Sequence, residues 1–448
     1  MLTKFLGVSL LAFTLARPAA PQTSPDIQKV LDRLDKLEDE NRILLNEIHA
    51  LRNELESRQA PPPAGAAAPA PVEERLDVEE NRTAELAQSK VEASQKLPVS
   101  LTGMLLFNSF VNGKFGGGAE DPVVASQNAA AAASGASLRQ TVIGLKFNGP
   151  DLPWGGKASG SLYMDFFAGS LTPNNNLMRI RVATLDLGWK NTTITVGQDK
   201  PIISPREPMS LAQVGVSPLT GAGNLWLWEP QVRIEQRFSL GEETGLRAQA
   251  GVYQTSENYP SILSPEYAGT LERARPGYQG RFEFFHGNDK RRIEIAPGFH
   301  FSDTHVAGMS VPSRIASLDW LIKPAPLVEF TGALFRGEDV SGLGALQGFE
   351  LLSSGAAIPV HSQGEWGQIA LFPASRLSVH VYAGEQWNNS NDLGPGSVTT
   401  NFMYAGNFIY KLAPNVLAAL EASQVRTQVI GSALRVNNHY DLALAYLF

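Results

Sequence analysis

The chain has 448 residues, of which 43% are hydrophobic, with 41 glycines, 29 prolines and no cysteine. The absence of cysteine excludes a disulfide framework and a thiolate metal site. A net charge of −7, spread along the chain, argues against a nucleic-acid partner.

The first residues, MLTKFLGVSLLAFTLARPAAPQ, combine Lys4 with an apolar run and then small residues. The run is too short to cross a bilayer as a helix, so residues 1–20 read as a secretory signal peptide. Pro21 would hinder a cut after Ala20, and a cut after Ala16 is the alternative. No later stretch holds 18 apolar residues, which leaves an exported protein that is either free in an outer compartment or embedded as a barrel.

Residues 24–58 carry an unbroken heptad. Ile27, Leu34, Asn41, Ile48 and Leu55 hold one seam position, and Val30, Leu37, Leu44 and Leu51 the other. This repeat predicts a parallel α-helical coiled coil begun by Ser24 and Pro25, with Asn41 fixing its register. Leu31 and Leu45 widen the apolar stripe, which favours three helices over two. A Pro/Ala linker follows at 59–72, semi-rigid and extended. Residues 73–97 are charged and helix-prone, and read as a short helical or linker segment.

From residue 98 the period changes to two. In QVRIEQRFSL (231–240), Val232, Ile234 and Phe238 alternate with Arg233, Glu235 and Arg237. GLRAQAGVYQT, GYQGRFEFF and RRIEIAPGFHF continue the theme. Short turns at 150–155, 190–192, 240–245, 287–290, 323–326, 373–375 and 413–415 alternate with longer loops. The loops are placed near 113–137, 170–177, 200–229, 256–275, 302–310, 338–360, 387–397 and 428–435. This spacing predicts an all-β transmembrane barrel of about 16 antiparallel strands over 98–448, with both ends of the barrel segment on the short-turn side. Loop residues 126–137, SQNAAAAASGAS, read as low-complexity. The last strand, 437–448, places Tyr440, Leu442, Leu444, Tyr446 and Phe448 on one face, opposite His439, Asp441, Ala443 and Ala445. It is expected to pair with the first strand. Its aromatic end resembles the signal read by the barrel-assembly machinery.

The long loop at 200–228 holds Lys200, Arg206 and Glu207 and is stiffened by four prolines. It is the expected pore constriction. Facing it should stand Arg233, Arg237, Arg247, Arg281 and Arg292, interleaved with Glu235, Glu283 and Glu294. Such an array favours anions unless the acids cancel the bases as wall salt bridges. Inward Asp165, Asp319 and Glu329 are expected to form an opposed acidic patch and a transverse field. No His/Asp cluster has metal-ligand spacing, and no cofactor is implied. His361 and Ser362 are adjacent, so in a strand they point to opposite faces, and no G-x-S-x-G occurs. An enzyme is therefore not expected.

The order of signal, heptad helix, hinge and barrel resembles a trimeric outer-membrane porin with a periplasmic coiled coil, and is most similar to the DcaP-like porin family. LTGMLLFNSFVNG (101–113), TLDLGWKNTTITVGQDK (184–200) and WLWEPQVRIEQRF (226–238) carry the resemblance. It implies passive uptake of small hydrophilic, often anionic solutes by a homotrimer in the outer membrane of a diderm bacterium, in contact with lipid. Two alternatives stand beside it. One is a structural barrel whose coiled coil contacts the cell wall; the other is a sugar-specific porin, whose eighteen strands the count of sixteen opposes.

Overall fold

The computed structural model describes residues 99–168, 176–254, 276–306, 309–351 and 356–448. The signal peptide, coiled coil, linker and short helical segment expected over 1–97 lie outside the described residues.

The described residues form a closed antiparallel barrel. Its strands open with β1 (Val99–Asn112), β2 (Ala133–Ser137), β3 (Val142–Leu152), β4 (Gly156–Ala168), β5 (Leu177–Gly188) and β6 (Thr192–Asp199). They continue with β7 (Glu229–Ser239), β8 (Thr244–Tyr253), β9 (Gly277–Gly287), β10 (Arg292–Val306), β11 (Met309–Ala325) and β12 (Val328–Glu338). A small hairpin, β13 (Phe349–Leu351) and β14 (Ala357–Pro359), sits in the next loop. The wall ends with β15 (His361–Ala374), β16 (Leu377–Asn388), β17 (Val398–Ala413), β18 (Val416–Val429) and β19 (Arg435–Leu447).

Because β2 and β3 share one edge of β1, the wall has sixteen strands. The upper half of β1 pairs with β2 (Asn108↔Ser137 to Asn112↔Ala133) and its lower half with β3 (Val99↔Phe147 to Met104↔Val142). Between them residues 138–141 interrupt the ladder. There the Thr141 hydroxyl accepts from the Leu106 amide at 3.1 Å and donates to the Leu106 carbonyl at 3.3 Å, replacing the missing backbone partner.

Closure comes from β1 and β19, in register from Met104↔Leu447 to Asn112↔His439. Gly103 and Phe448 exchange two backbone hydrogen bonds at the rim. Every interior strand then has two neighbours, which is how a sheet satisfies its amides in lipid. The period-two pattern sorts the faces as expected. Tyr440, Leu442, Leu444 and Tyr446 are about half exposed on the outer wall, while His439, Asp441, Ala443 and Ala445 are buried on the inner one.

All seven short turns fall where the sequence places them. The loop expected at 256–275 and most of that expected at 170–177 lie outside the described residues. Among the described residues, two of the loops differ from expectation. Residues 302–310 are not a long loop, because β10 and β11 stay paired up to Val306↔Met309; alternation continues through Phe301, Asp303 and Ser310, and no proline or glycine cluster stops it. In the expected loop 113–137 the last five residues join the wall as β2, since small residues can pair wherever a strand edge is open.

Candidate functional site

The 200–228 loop connects β6 to β7, and its backbone groups find partners on the inner wall in strand order. The Ile202 amide donates to Gln279 of β9 at 2.6 Å, and the Ser317 hydroxyl of β11 donates to the Ile203 carbonyl at 3.3 Å. The Met209 amide donates to Gln368 of β15 at 2.6 Å, and Asn407 of β17 donates to the Met209 carbonyl at 2.8 Å. Next, Ser210 donates to Glu421 of β18 at 2.6 Å and Asn108 of β1 donates to the Leu211 carbonyl at 2.8 Å. Gln140, turned inward by the break between β2 and β3, donates to the Ala212 carbonyl at 2.7 Å and accepts from the Val214 and Gly215 amides. Finally Arg179 of β5 donates to the Gly215 carbonyl. From β9 round to β5, the loop therefore follows the inside of the ring.

The return arm, 216–228, packs against the wall at β15 and β16. There Gly223, at φ +99°, lies so close that a Cβ on it would come 2.3 Å from the Glu365 carbonyl oxygen. A Cβ on Gly384 would meet the Ala222 carbonyl oxygen at 2.2 Å. Glycine on both surfaces permits this approach. Leu219 and Ala222 join a buried apolar cluster with Ala125, Trp366, Tyr382, Met403, Ala405 and Val425. That patch of inner wall is apolar because protein covers it.

Charged side chains gather in two groups beside the loop. In the first, Arg206 pairs with Asp319 at 2.9 Å, with Glu283 at 3.5 Å and with Glu294. Arg281 grips Asp319 with two nitrogens, at 2.7 and 2.8 Å, and Glu283 at 2.6 Å. The chain of pairs runs on through Arg247 to Glu283 at 3.3 Å and Glu235 at 3.5 Å, and through Arg237 to Glu235 at 2.8 Å. Arg292 pairs with Glu294, and Arg233 with Asp199 at 2.8 Å.

In the second group, the fully buried Asp165 carboxylate serves two guanidinium groups, Arg179 at 2.8 Å and Arg181 at 3.4 Å. Trp228 of the loop stacks beneath them, its ring centre 5.2 Å from Arg179 and 4.8 Å from Arg181. Between the groups, Lys200 meets Glu207 at 2.6 Å, and Ser217 donates to Glu207 at 2.7 Å. Burial is the largest influence on Glu207 and pushes its carboxyl up. The attraction and hydrogen bond of Lys200, with the Ser217 hydroxyl, outweigh it and hold the group below the ordinary carboxylate value.

The expected site residues are thus gathered along one loop, but not as two opposed walls. Asp319 does not stand across from the arginines as an acidic patch: it is the bidentate partner of Arg281, because β9 and β11 both flank β10. Arg281 is 1% exposed, so its charge is spent within the wall. Asp165 likewise faces cations of its own. Glu329 sits low on β12, accepting from Thr331 at 3.4 Å, apart from both groups. Sequence reading missed Arg179, Arg181, Gln140 and Trp228. The Arg-Ile-Arg alternation at 179–181 carries the same signal as Arg233 and Arg237 and could have been found; the inward turn of Gln140 depends on the break in the strand.

A sixteen-stranded closed barrel with an apolar outer belt and a long loop against its inner wall has the architecture of the outer-membrane porins and channels. The comparisons with known proteins agree. No protein-family model matches the chain, and no curated protein does. Among solved structures, it superposes on the outer membrane channel DcaP of Acinetobacter baumannii with a TM-score of 0.61, at 14% identity over 78% of this chain and 97% of that one. An anion-selective porin from Comamonas acidovorans matches with a TM-score of 0.54, at 12% identity over 78% and 99%. Salmonella typhi OmpF, in complex with daunomycin, matches with a TM-score of 0.50, at 11% identity over 78% and 97%. At such identities the likeness is one of fold.

Proposed function

We propose that the protein is an outer-membrane porin through which small hydrophilic solutes diffuse passively, with a mild preference for anions. The observation that carries this reading is the course of residues 200–228, hydrogen-bonded to the inner wall from β9 round to β5. A loop held in this way narrows a wide lumen to an eyelet without the wall having to move. Arg179, Arg181, Lys200 and Arg233 keep their charged ends partly accessible beside it, against Asp165, Asp199 and Glu207. Within this cluster four cations with three carboxylates leave a local excess of one positive charge, and the low-dielectric wall focuses its field on the adjoining aqueous path.

The heptad helix and its Leu31 and Leu45 positions support a trimer, with the coiled coil on the short-turn, periplasmic side. It aligns three chains during assembly by the barrel machinery or spaces the barrel from the cell wall. The test is single-channel conductance and reversal potential of the refolded protein in a planar bilayer under a salt gradient. Closures in three steps with an anion-selective reversal potential are expected. A correctly folded barrel that stays silent would overturn the diffusion reading in favour of a structural barrel.

A further inference from the structure

The outer wall is not uniform at the loop end of the strands. On β1, β5 and β7–β9 its upper rim is apolar, formed by exposed Val111, Met178, Val232, Val252 and Tyr278. On β11, β12, β15 and β16 the same face is charged. Arg314 lies opposite Glu338, Arg336 opposite Gln363, and Glu365 opposite Glu385, all on the outside, while their neighbours Ser313, Phe335, Ser362 and Gln386 are buried toward the inside. A groove of about 720 Å3 opens among these strands, lined by Arg314, Arg336, Glu338, His361, Gln363 and Trp387. Directly below, the outer face turns apolar again with Leu334, Ile369 and Val381.

Charge balance within the groove is uneven. Glu338 is shared by Arg314 at 3.3 Å and His361 at 3.4 Å, and Asp392 meets His361 at 2.8 Å. Among the described residues Arg336 has no carboxylate within ion-pair distance. Glu365 and Glu385 face each other with no cation between them, an arrangement that destabilises a bare strand pair. Hydrocarbon would penalise all these groups, and the core of a protein interface is depleted of charge. A layer that carries phosphates and divalent cations together suits both the free guanidinium and the facing carboxylates.

We infer that this groove is a seat for the phosphorylated headgroup of an outer-leaflet glycolipid, with Arg314 and Arg336 on the phosphates and the acyl chains against Leu334, Ile369 and Val381. The inference rests on the outer-membrane reading above. It also leaves the apolar rim of β1, β5 and β7–β9 as the sector free to meet another chain.

The test uses the full-length protein in lipid nanodiscs with Mg2+, probed by rough lipopolysaccharide and by the same lipid enzymatically dephosphorylated, with retention read by native mass spectrometry. Wild type is expected to retain the phosphorylated lipid selectively. R314A/R336A should lose at least about tenfold in retention, and K411A, which removes a cation at the opposite rim, should not. Equal retention of both lipids, or a double variant that binds like wild type, overturns the inference. So does displacement by inorganic phosphate at equal concentration, which would mark a free-phosphate site. Efficient disulfide formation between copies carrying Gln363→Cys would place a second chain there, and overturns it as well. Bilayer conductance on the same preparation separates the two readings: open channels without lipid selectivity sink this inference alone.

Discussion

Arg206 and Asp319 lie 113 positions apart in the chain, and their Nε and Oδ1 atoms are 2.9 Å apart. The first belongs to the inner loop and the second to the wall, where Arg281 already holds it. One carboxylate therefore joins the loop to the barrel and also compensates a buried guanidinium.

Removing that carboxylate should cost more than removing any exposed partner. In Asp319→Ala the nearly inaccessible Arg281 keeps its charge with Glu283 as its one remaining carboxylate and the Gln249 amide oxygen beside it, a loss of about 3–5 kcal/mol for a broken buried pair. Arg237→Ala, at a side chain more than half exposed, should cost about 0–1 kcal/mol. Urea titration of the folded barrel in detergent, read by gel mobility without heating, compares the two. Equal midpoints would show that the network is not what braces this wall.

Selectivity should follow accessibility rather than the count of arginines. Arg179→Ala and Arg181→Ala each remove a partly exposed cation from a pair sharing one carboxylate, so the reversal potential should move toward cations. Arg281→Met should lower stability and leave the reversal potential within error of wild type. A larger shift from Arg281 than from Arg181 would contradict the link between accessibility and selectivity.

The return arm of the loop depends on two glycines. Gly384→Val puts atoms into the space of the Ala222 carbonyl, and overpacking of this kind costs about 1–3 kcal/mol. The wall is held by its ladders to β15 and β17, so the arm should yield first. Single-channel recordings should show a higher and noisier conductance. An unchanged trace would mean that the arm does not bound the path.

Two carboxyl groups in the loops predict opposite pH effects. Asp121 is buried, which is the largest cause of its strongly raised pKa, and Glu120, Asp441 and Glu421 add to it. Its segment docks on the inner wall, where the Ala125 amide donates to Thr427 at 2.8 Å and Asn401 donates to the Val123 carbonyl at 2.9 Å. The docked state binds more protons than the released one, so docking weakens as pH rises from the ordinary aspartate range through the raised value. Asp121→Asn should abolish that loss, measured as proteolytic nicking within 113–132 at each pH relative to wild type. For Glu207, whose pKa is lowered, the docked state binds fewer protons. Its contribution is present above the ordinary glutamate value and fades as pH falls through the lowered one. Glu207→Gln should remove the acid-side loss, read as conductance noise.

Much of the fold was legible because lipid and a closed sheet leave a period of two that survives in the sequence. Tyr440 to Phe448 declared their outer face, and turns such as Lys190–Thr192 and Ala413–Asn415 declared the short-turn end. Charged residues destined for the lumen showed themselves as Arg233, Glu235 and Arg237 between apolar neighbours. Alternation says which face a side chain occupies and nothing about what stands across from it.

That boundary separates what the sequence determined from what only the tertiary structure decided. Local sterics and the alternation of apolar and polar groups determined the strands, their number, their inner and outer faces and the pairing of β1 with β19. Which inner charges stay accessible was decided by contacts more than a hundred residues apart: Arg206 reaching Asp319, Asn108 reaching Leu211, Ala222 lying on Gly384. Such contacts arise only when a closed ring brings distant strands round a shared loop. The free energy of a charge depends on the neighbours so assembled, not on its place in the alternation.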